Sequence, residues 1–388
     1  MGSFMACLCL GGIVTGREGE GVAQGLKAAL ADQWGRAQGQ TPVLAFLAGL
    51  GTDILTLGRI DEPRNIVLQL IYLGLAALTL IASIAEKSSW VNTGSTVKRF
   101  LARGIVRYGR FIFHFATGAL LSAFTFFYFK SSSGVASFVF LVLLAAGLVL
   151  NELPTFKRIG AVFRAVLFQL SLVSFLTYIL PMVAGELHLG LFVLGIVVST
   201  VLAFGIGLGL QGLGVEENRI NRSFRRPALG VTTAFVLFYA LQWIPPIPLS
   251  VQSMRAGHNV QRVGASYTIM VDEDVDGWGE PTITKVDGER LYVFARIFAP
   301  RNFKEQVFLR WERLDASEGW VQTDRIVLPI RGGRALGFRG YTYKENYQSG
   351  RWRVFVETED GREIGRQSFS IQKVNGQGEL RAREKVVE

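Results

Sequence analysis

The chain has 388 residues, 49% of them hydrophobic and 28 of them Phe, with a formal net charge of +10 and only two cysteines. Residues 1–259 hold 20 Lys/Arg against 11 Asp/Glu, whereas residues 260–388 hold 21 against 20. The basic excess therefore lies between apolar blocks and not on one folded face, which speaks against nucleic acid as a partner. With Cys7 and Cys9 both near the start, a disulfide framework or thiolate metal site further along is excluded as well.

In chain order, residues 1–41 read as a cytoplasmic segment. Phe4–Val14 is apolar but short and lacks a preceding positive charge, so it makes a poor signal peptide, and Cys7 a poor lipid-attachment site. Residues 15–41 read as an amphipathic helix near the membrane surface. Residues 42–250 then carry seven stretches apolar enough for membrane helices: Pro42–Gly58, Ile66–Ala85, Phe111–Phe129, Val135–Leu150, Ala161–Leu180, Leu189–Leu210 and Ala228–Leu249. The first is short and contains Asp53. Lys and Arg cluster in every second connection: 16 of them lie in the N-terminal segment and in the second, fourth and sixth connections, against Arg59, Arg64, Lys130 and Arg255 on the alternate side. Basic loops stay in the cytoplasm, so the N-terminus is expected inside and everything after about residue 250 outside.

Within the spans, Pro181 is expected to end the fifth and Pro245-Pro246 with Pro248 to close the seventh. Gly205 and Gly209 have the spacing of close helix packing. The overlapping Gly207-x-Gly209-x-x-Gly212 lacks the strand and turn that a dinucleotide motif requires.

A linker is expected over 251–262, an all-β immunoglobulin-like sandwich over 263–373 and a polar tail over 374–388. About seven short strands account for the sandwich: Ser266–Val271, Leu291–Ile297, Val307–Arg313, Trp320–Leu328, Ala335–Tyr343, Trp352–Val356 and Glu363–Ile371. Asp287-Gly288, Gly332-Gly333 and Asp360-Gly361 supply turns between them.

Gly333-Arg334-Ala335-Leu336-Gly337-Phe338-Arg339-Gly340-Tyr341-Thr342-Tyr343-Lys344, followed by Gly350-Arg351-Trp352-Arg353-Val354 and Phe369, resembles the domain of unknown function DUF2914. The membrane half resembles the family DUF5924 through Asp53-Ile54-Leu55-Thr56-Leu57-Gly58-Arg59-Ile60-Asp61, Tyr128-Phe129-Lys130-Ser131 and Asn151-Glu152. The resemblance implies a bacterial envelope protein of the inner membrane and supplies no activity. One departure is Leu309-Arg310-Trp311, where the resemblance leads one to expect a histidine before the tryptophan.

Four groups of residues are candidates for chemistry. Asp53, Arg59, Asp61 and Lys130 share one depth at the outer leaflet, suited to an ion or lipid head group, to a proton-responsive carboxylate, or to an ion-pair network pinning the first two spans. His114, Asn151, Glu152 and Arg164 lie near the inner face. No carboxylate occupies an intermediate depth, which speaks against a proton wire. Asp272, Asp274 and Asp276 with Glu280 repeat the oxygen spacing of a short Ca²⁺ loop, the one cofactor the sequence suggests; the competing reading is a solvated acidic hairpin. Arg339, Tyr341, Tyr343, Lys344, Tyr347 and Arg351 form a possible partner surface, or pack between strands. The folded outer domain has no Cys and no His beyond His258, so a Ser–His–Asp arrangement is not available there.

The function expected from these residues is non-enzymatic: a multi-pass inner-membrane protein presenting a periplasmic sandwich to an envelope protein, glycan or lipid. The alternative is a transporter or lipid-handling protein working at the outer-leaflet polar level. A sensor is a third reading, but no output domain follows the spans.

Overall fold

The computed structural model describes residues 60–86, 96–132, 135–152, 160–264, 266–272, 280–285, 288–333, 337–373 and 382–387. All belong to one unit, Thr56–Glu388. Pro42–Gly58, the N-terminal segment, Asp53, Arg59, Asp274 and Asp276 lie outside the described residues.

The helical part begins with α1 (Pro63–Ala85), started by Pro63, whose missing N–H costs nothing in a first turn. Then come α2 (Thr96–Lys130), α3 (Val135–Glu152), α4 (Gly160–Ala184) and α5 (Leu189–Gly212). A short α6 (Glu217–Ile220) passes through a π-helical turn at Asn221–Arg225 into α7 (Arg226–Ala240). Four of these segments are long and apolar enough to cross a membrane: α1, Tyr108–Lys130 of α2, α4 and α5. Ser137–Asn151 of α3 is a shorter apolar helix. Thus six of the seven expected spans fall on described helices, and four of those meet the length a bilayer demands.

The bundle is apolar on its outside. On α5, Leu189, Val193, Val197, Val201 and Leu208 are exposed, while Phe192, Gly195, Ser199, Ala203, Gly207 and Leu210 form the buried stripe. A water-soluble helix has the opposite pattern. Small residues on the buried stripe let α5 approach its neighbours: Gly195 lies against Leu176 and Leu180, and Gly207 against the Arg225 guanidinium. Gly205 and Gly209, expected at an interface, have no atom close enough to meet an added Cβ; the contact is made one face away, through Gly207.

Two helix ends differ from expectation. Pro181 lies inside α4, which continues to Ala184. The last helix stops at Ala240, nine residues before Leu249, and the prolines do not stop it. Gln242 adopts a left-handed conformation, φ 57°. Trp243 N–H bonds to Phe238 O and Gln242 N–H to Tyr239 O. The Trp243 ring stacks on Phe238 at 5.4 Å. This pair of bonds with its apolar contact is a Schellman stop.

Eleven strands follow among the described residues: β1 (Ser250–Gly257), β2 (Asn259–Val263), β3 (Ser266–Asp272), β4 (Thr282–Lys285), β5 (Leu291–Phe298), β6 (Lys304–Asp315), β7 (Gly319–Arg331), β8 (Phe338–Lys344), β9 (Gly350–Thr358), β10 (Glu363–Lys373) and β11 (Ala382–Val387). They form sheets of order β1-β5-β8, β4-β10-β9-β6-β7 and β11-β3-β2. The first two face each other over one core, in which Val293, Ala295 and Ile297 of β5 meet Leu309, Trp311, Val354, Val356 and Phe369. Trp311 packs edge-on against Trp352 and Phe369, at 6.4 Å from each. The third sheet covers the back of the first through Val260, Ile269, Val271 and Phe294.

The segment expected as a linker, 251–262, is instead β1 with most of β2. Its residues alternate only weakly in polarity, and pairing with β5 holds them extended, Met254 opposite Ala295 and Ala256 opposite Val293. Part of the expected tail is β11, an edge strand pairing Val386 with Thr268 and Lys385 with Ile269.

Candidate functional site

The β-domain packs directly on helix ends. Lys304 N–H donates to Gly185 O (2.8 Å), and Leu187 N–H donates to the Glu305 carboxylate (2.8 Å). Gly185 suits this approach: φ is +78° and an added Cβ would meet Asn302 O at 2.8 Å. Gln242 donates to Asp360 O (3.1 Å), and Arg362 lies over the Tyr239 ring at 5.0 Å. Burial raises the Glu305 carboxyl above its ordinary range, and the Glu359 and Glu186 carboxylates add to this against two backbone N–H bonds that oppose it.

A cavity of about 480 Å³ opens where α2 and β5 end and β1 begins. Ile60, Phe127, Val251 and Phe298 form its apolar wall. Lys130, Ser131, Ser250, Gln252 and Arg296 line it with polar groups, and no lining residue among those described is acidic. A bulge between Val251 and Ser253 offsets Gln252 from the ladder. Arg296 stands directly across from Ser253 on one side and from Arg339 on the other. The Arg296 Nε and the Ser253 hydroxyl are buried without a hydrogen-bond partner among the described residues. Lys130, the last residue of α2, rests its ammonium 4.2 Å from the Phe126 ring centre.

A second cavity of about 470 Å³ lies beside the Gly185–Leu187 contact, lined by Glu186, His188, Lys304, Glu305, Arg331 and Glu359 among others. Its charges are of both signs. His188 is engaged as the cap of α5, accepting from Gly190 N–H at 2.8 Å.

Of the outer-leaflet group, Lys130 faces the first cavity together with Ile60, the neighbour of Asp61. Of the residues expected near the inner face, His114 and Asn151 meet: His114 Nδ1 and Asn151 Oδ1 are 2.6 Å apart, and Asn151 Nδ2 donates to His114 O at 2.9 Å. Arg164 is buried on α4, with no bond to either among the described residues; Glu152 ends α3.

Two of the four residues expected in a Ca²⁺ loop are engaged elsewhere. The buried Asp272 accepts from Thr284 N–H (2.8 Å) and sits 3.2 Å from His258 Nε2. Glu280 pairs with Arg351 at 2.8 Å. No group of three potential ligands is gathered among the described residues.

The expected partner surface divides. Tyr341 and Tyr343 are exposed and flank Tyr292 at 5.9 and 5.7 Å. Tyr347 is buried in the core, because its ring packs inward. Lys344 is drawn to Asp324 and lies over Trp352. Arg351 is held by Glu280 and Arg339 lies over Tyr267.

The outer face of the five-stranded sheet carries a ladder of paired charges. Glu357, 3% exposed, accepts from Arg310 (2.7 Å) and Arg325 (2.8 Å), while Glu312 accepts from Arg353 (2.6 Å) and pairs with Arg310. The Phe355 ring lies under Arg310 at 4.2 Å. Arg310, the departure noted before Trp311, is thus the centre of this ladder. Arg296 and Ser253 were not anticipated as site residues; an arginine alternating with Ala295 and Ile297 in a buried strand is the signal that marks the first of them.

No curated protein matches the chain. Among solved structures, an immunoglobulin-like protein from Pseudomonas aeruginosa is 11% identical with a TM-score of 0.20, covering 32% of this chain and 96% of its own. A β-glucosidase involved in saponin metabolism from intestinal bacteria is 11% identical with a TM-score of 0.19, covering 31% and 16%. The β-glucosidase from Listeria innocua is 12% identical with a TM-score of 0.18, covering 32% and 16%. At these scores the likenesses carry no functional argument. Residues 304–371, from β6 into β10, match the family described as a protein of unknown function, DUF2914.

Proposed function

We propose that the chain is a non-enzymatic, multi-pass inner-membrane protein of a bacterial envelope. In this reading its N-terminus is cytoplasmic, and its β-domain, an immunoglobulin-like sandwich, stands on the periplasmic side as a binding module. The membrane half is the region that resembles DUF5924. One observation carries the reading. Ile60, Lys130, the Gly185–Leu187 turn and the Tyr239–Gln242 helix end all lie against or line spaces beside the β-domain. These are the helix ends poor in Lys and Arg, the ends that the positive-inside rule puts outside. The arginine-rich turn at Arg219–Arg226 belongs to the opposite set. Two independent criteria, loop charge and domain packing, therefore agree. The exposed Tyr341 and Tyr343 beside Tyr292 suit an aromatic contact with a protein or glycan partner.

Single-cysteine labelling tests the placement. In a background with Cys7→Ser and Cys9→Ser, a membrane-impermeant maleimide should label Glu318→Cys in intact spheroplasts. It should label Glu217→Cys only after permeabilisation. The reverse pattern overturns the reading.

A further inference from the structure

We propose that the cavity between the end of α2 and strands β1 and β5 binds a phosphate-bearing anion, supplied by the head group of a membrane lipid. The proposal deepens the reading above and rests on it for the membrane level of Lys130. Lys130 and Arg296 converge on one space, and no carboxylate among the described lining residues neutralises them. Arg296 Nε and the Ser253 hydroxyl beside it are buried without partners among the described residues. Buried donors left unmatched are costly, and an acceptor entering the cavity beside Arg296 would relieve the guanidinium that lines it.

Guanidinium and ammonium groups together are suited to phosphate oxygens. Lys130 closes the apolar stretch Tyr108–Lys130, so its ammonium lies where lipid head groups lie. Ile60, Phe127 and Phe298 give the same cavity an apolar wall. The neighbouring Phe129 is 67% exposed on the bundle surface. A ligand with a phosphate and an adjoining hydrocarbon part fits both halves of this lining. A neutral sugar would leave both cations unmatched.

The test uses the full chain in a neutral detergent. Native mass spectrometry reads the binding of dioleoyl phosphatidylglycerol and of dioleoyl phosphatidylcholine, and the melting temperature is followed with added inorganic phosphate. The expected result is one phosphatidylglycerol per chain, bound about tenfold more tightly than phosphatidylcholine. Lys130→Gln and Arg296→Gln should each weaken it about tenfold, with partial recovery in Arg296→Lys. Lys130 is at an exposed helix end, so Lys130→Gln carries the test if Arg296→Gln does not fold. A phosphate-induced rise in melting temperature that needs Lys130, without phosphatidylglycerol retention, keeps the anion site and overturns the lipid source. Equal phosphatidylglycerol binding by wild type and Lys130→Gln, with no phosphate effect, overturns the site. The labelling pattern at Glu217 and Glu318 is independent of all these outcomes, so failure here and failure of the membrane orientation are distinguishable.

Discussion

Arg296 and Arg310 both alternate with buried apolar residues in β-strands, but their surroundings differ in kind. Arg310 has Glu312 and Glu357 within reach on the same sheet face and the Phe355 ring beneath it. Breaking such a half-buried network leaves a charge unmatched, so its residues serve the fold. Arg296 has Arg339 across from it and an Nε with no acceptor among the described residues. Glu305 shows a third situation, a carboxylate that holds a helix turn to a sheet while burial disfavours its charge. Its folded pKa is raised, so its stabilising contribution is complete below the unfolded carboxylate value of about 4.3 and is lost as pH rises through the folded value. Glu305→Gln keeps an oxygen for Leu187 N–H and removes the titration. Its melting temperature relative to wild type should therefore increase between pH 4 and pH 7, and a constant difference would exclude Glu305 as the source. At this scale the sequence was only partly readable. The acidic run from Asp272 suggests Ca²⁺ by spacing alone, whereas Asp272 is used by His258 and Thr284 N–H, groups 14 and 12 residues away. Spacing cannot reveal a partner brought in by folding.

Among elements, α5 makes the same point with glycine. Gly205 and Gly209 have the spacing of a packing motif, but they face outward, and the buried position is Gly207 against Arg225. Which of three nearby glycines meets a neighbour depends on the rotation of the helix, and an almost uniformly apolar sequence hardly encodes that rotation. Gly207→Leu should destabilise the protein by about 1–3 kcal/mol through overpacking, while Gly205→Leu and Gly209→Leu should leave its thermal unfolding in detergent nearly unchanged. Equal losses at all three positions would contradict the observed face. The end of α7 has a similar cause: a left-handed Gln242 with the Trp243–Phe238 contact stops the helix before any proline is reached. Strands with strong alternation, such as β5, β6 and β9, were legible in the sequence. β1 and β11 were not, because their extended form depends on pairing with β5 and β3.

For the whole molecule, the long apolar blocks and the basic alternate loops are one-dimensional properties, and they are what a sequence conveys best. Helices long and apolar enough to cross a membrane, followed by a β-sheet domain, are accordingly what the structure contains. The seating of one on the other is three-dimensional. It comes from single contacts, Lys304 with Gly185, Glu305 with Leu187, Gln242 with Asp360, scattered along the chain. That seating closes the Lys130–Arg296 cavity and sets which helix ends face the sandwich. Glu186 and Lys304 flank the Lys304–Gly185 hydrogen bond and are both exposed. The decisive measurement is therefore to place Glu186→Cys with Lys304→Cys in the cysteine-free chain and treat intact spheroplasts with a short, membrane-impermeant bis-maleimide. An intramolecular cross-link formed from outside is the expected result. No cross-link, or one that forms only after the membrane is opened, would contradict a β-domain seated on the outward helix ends.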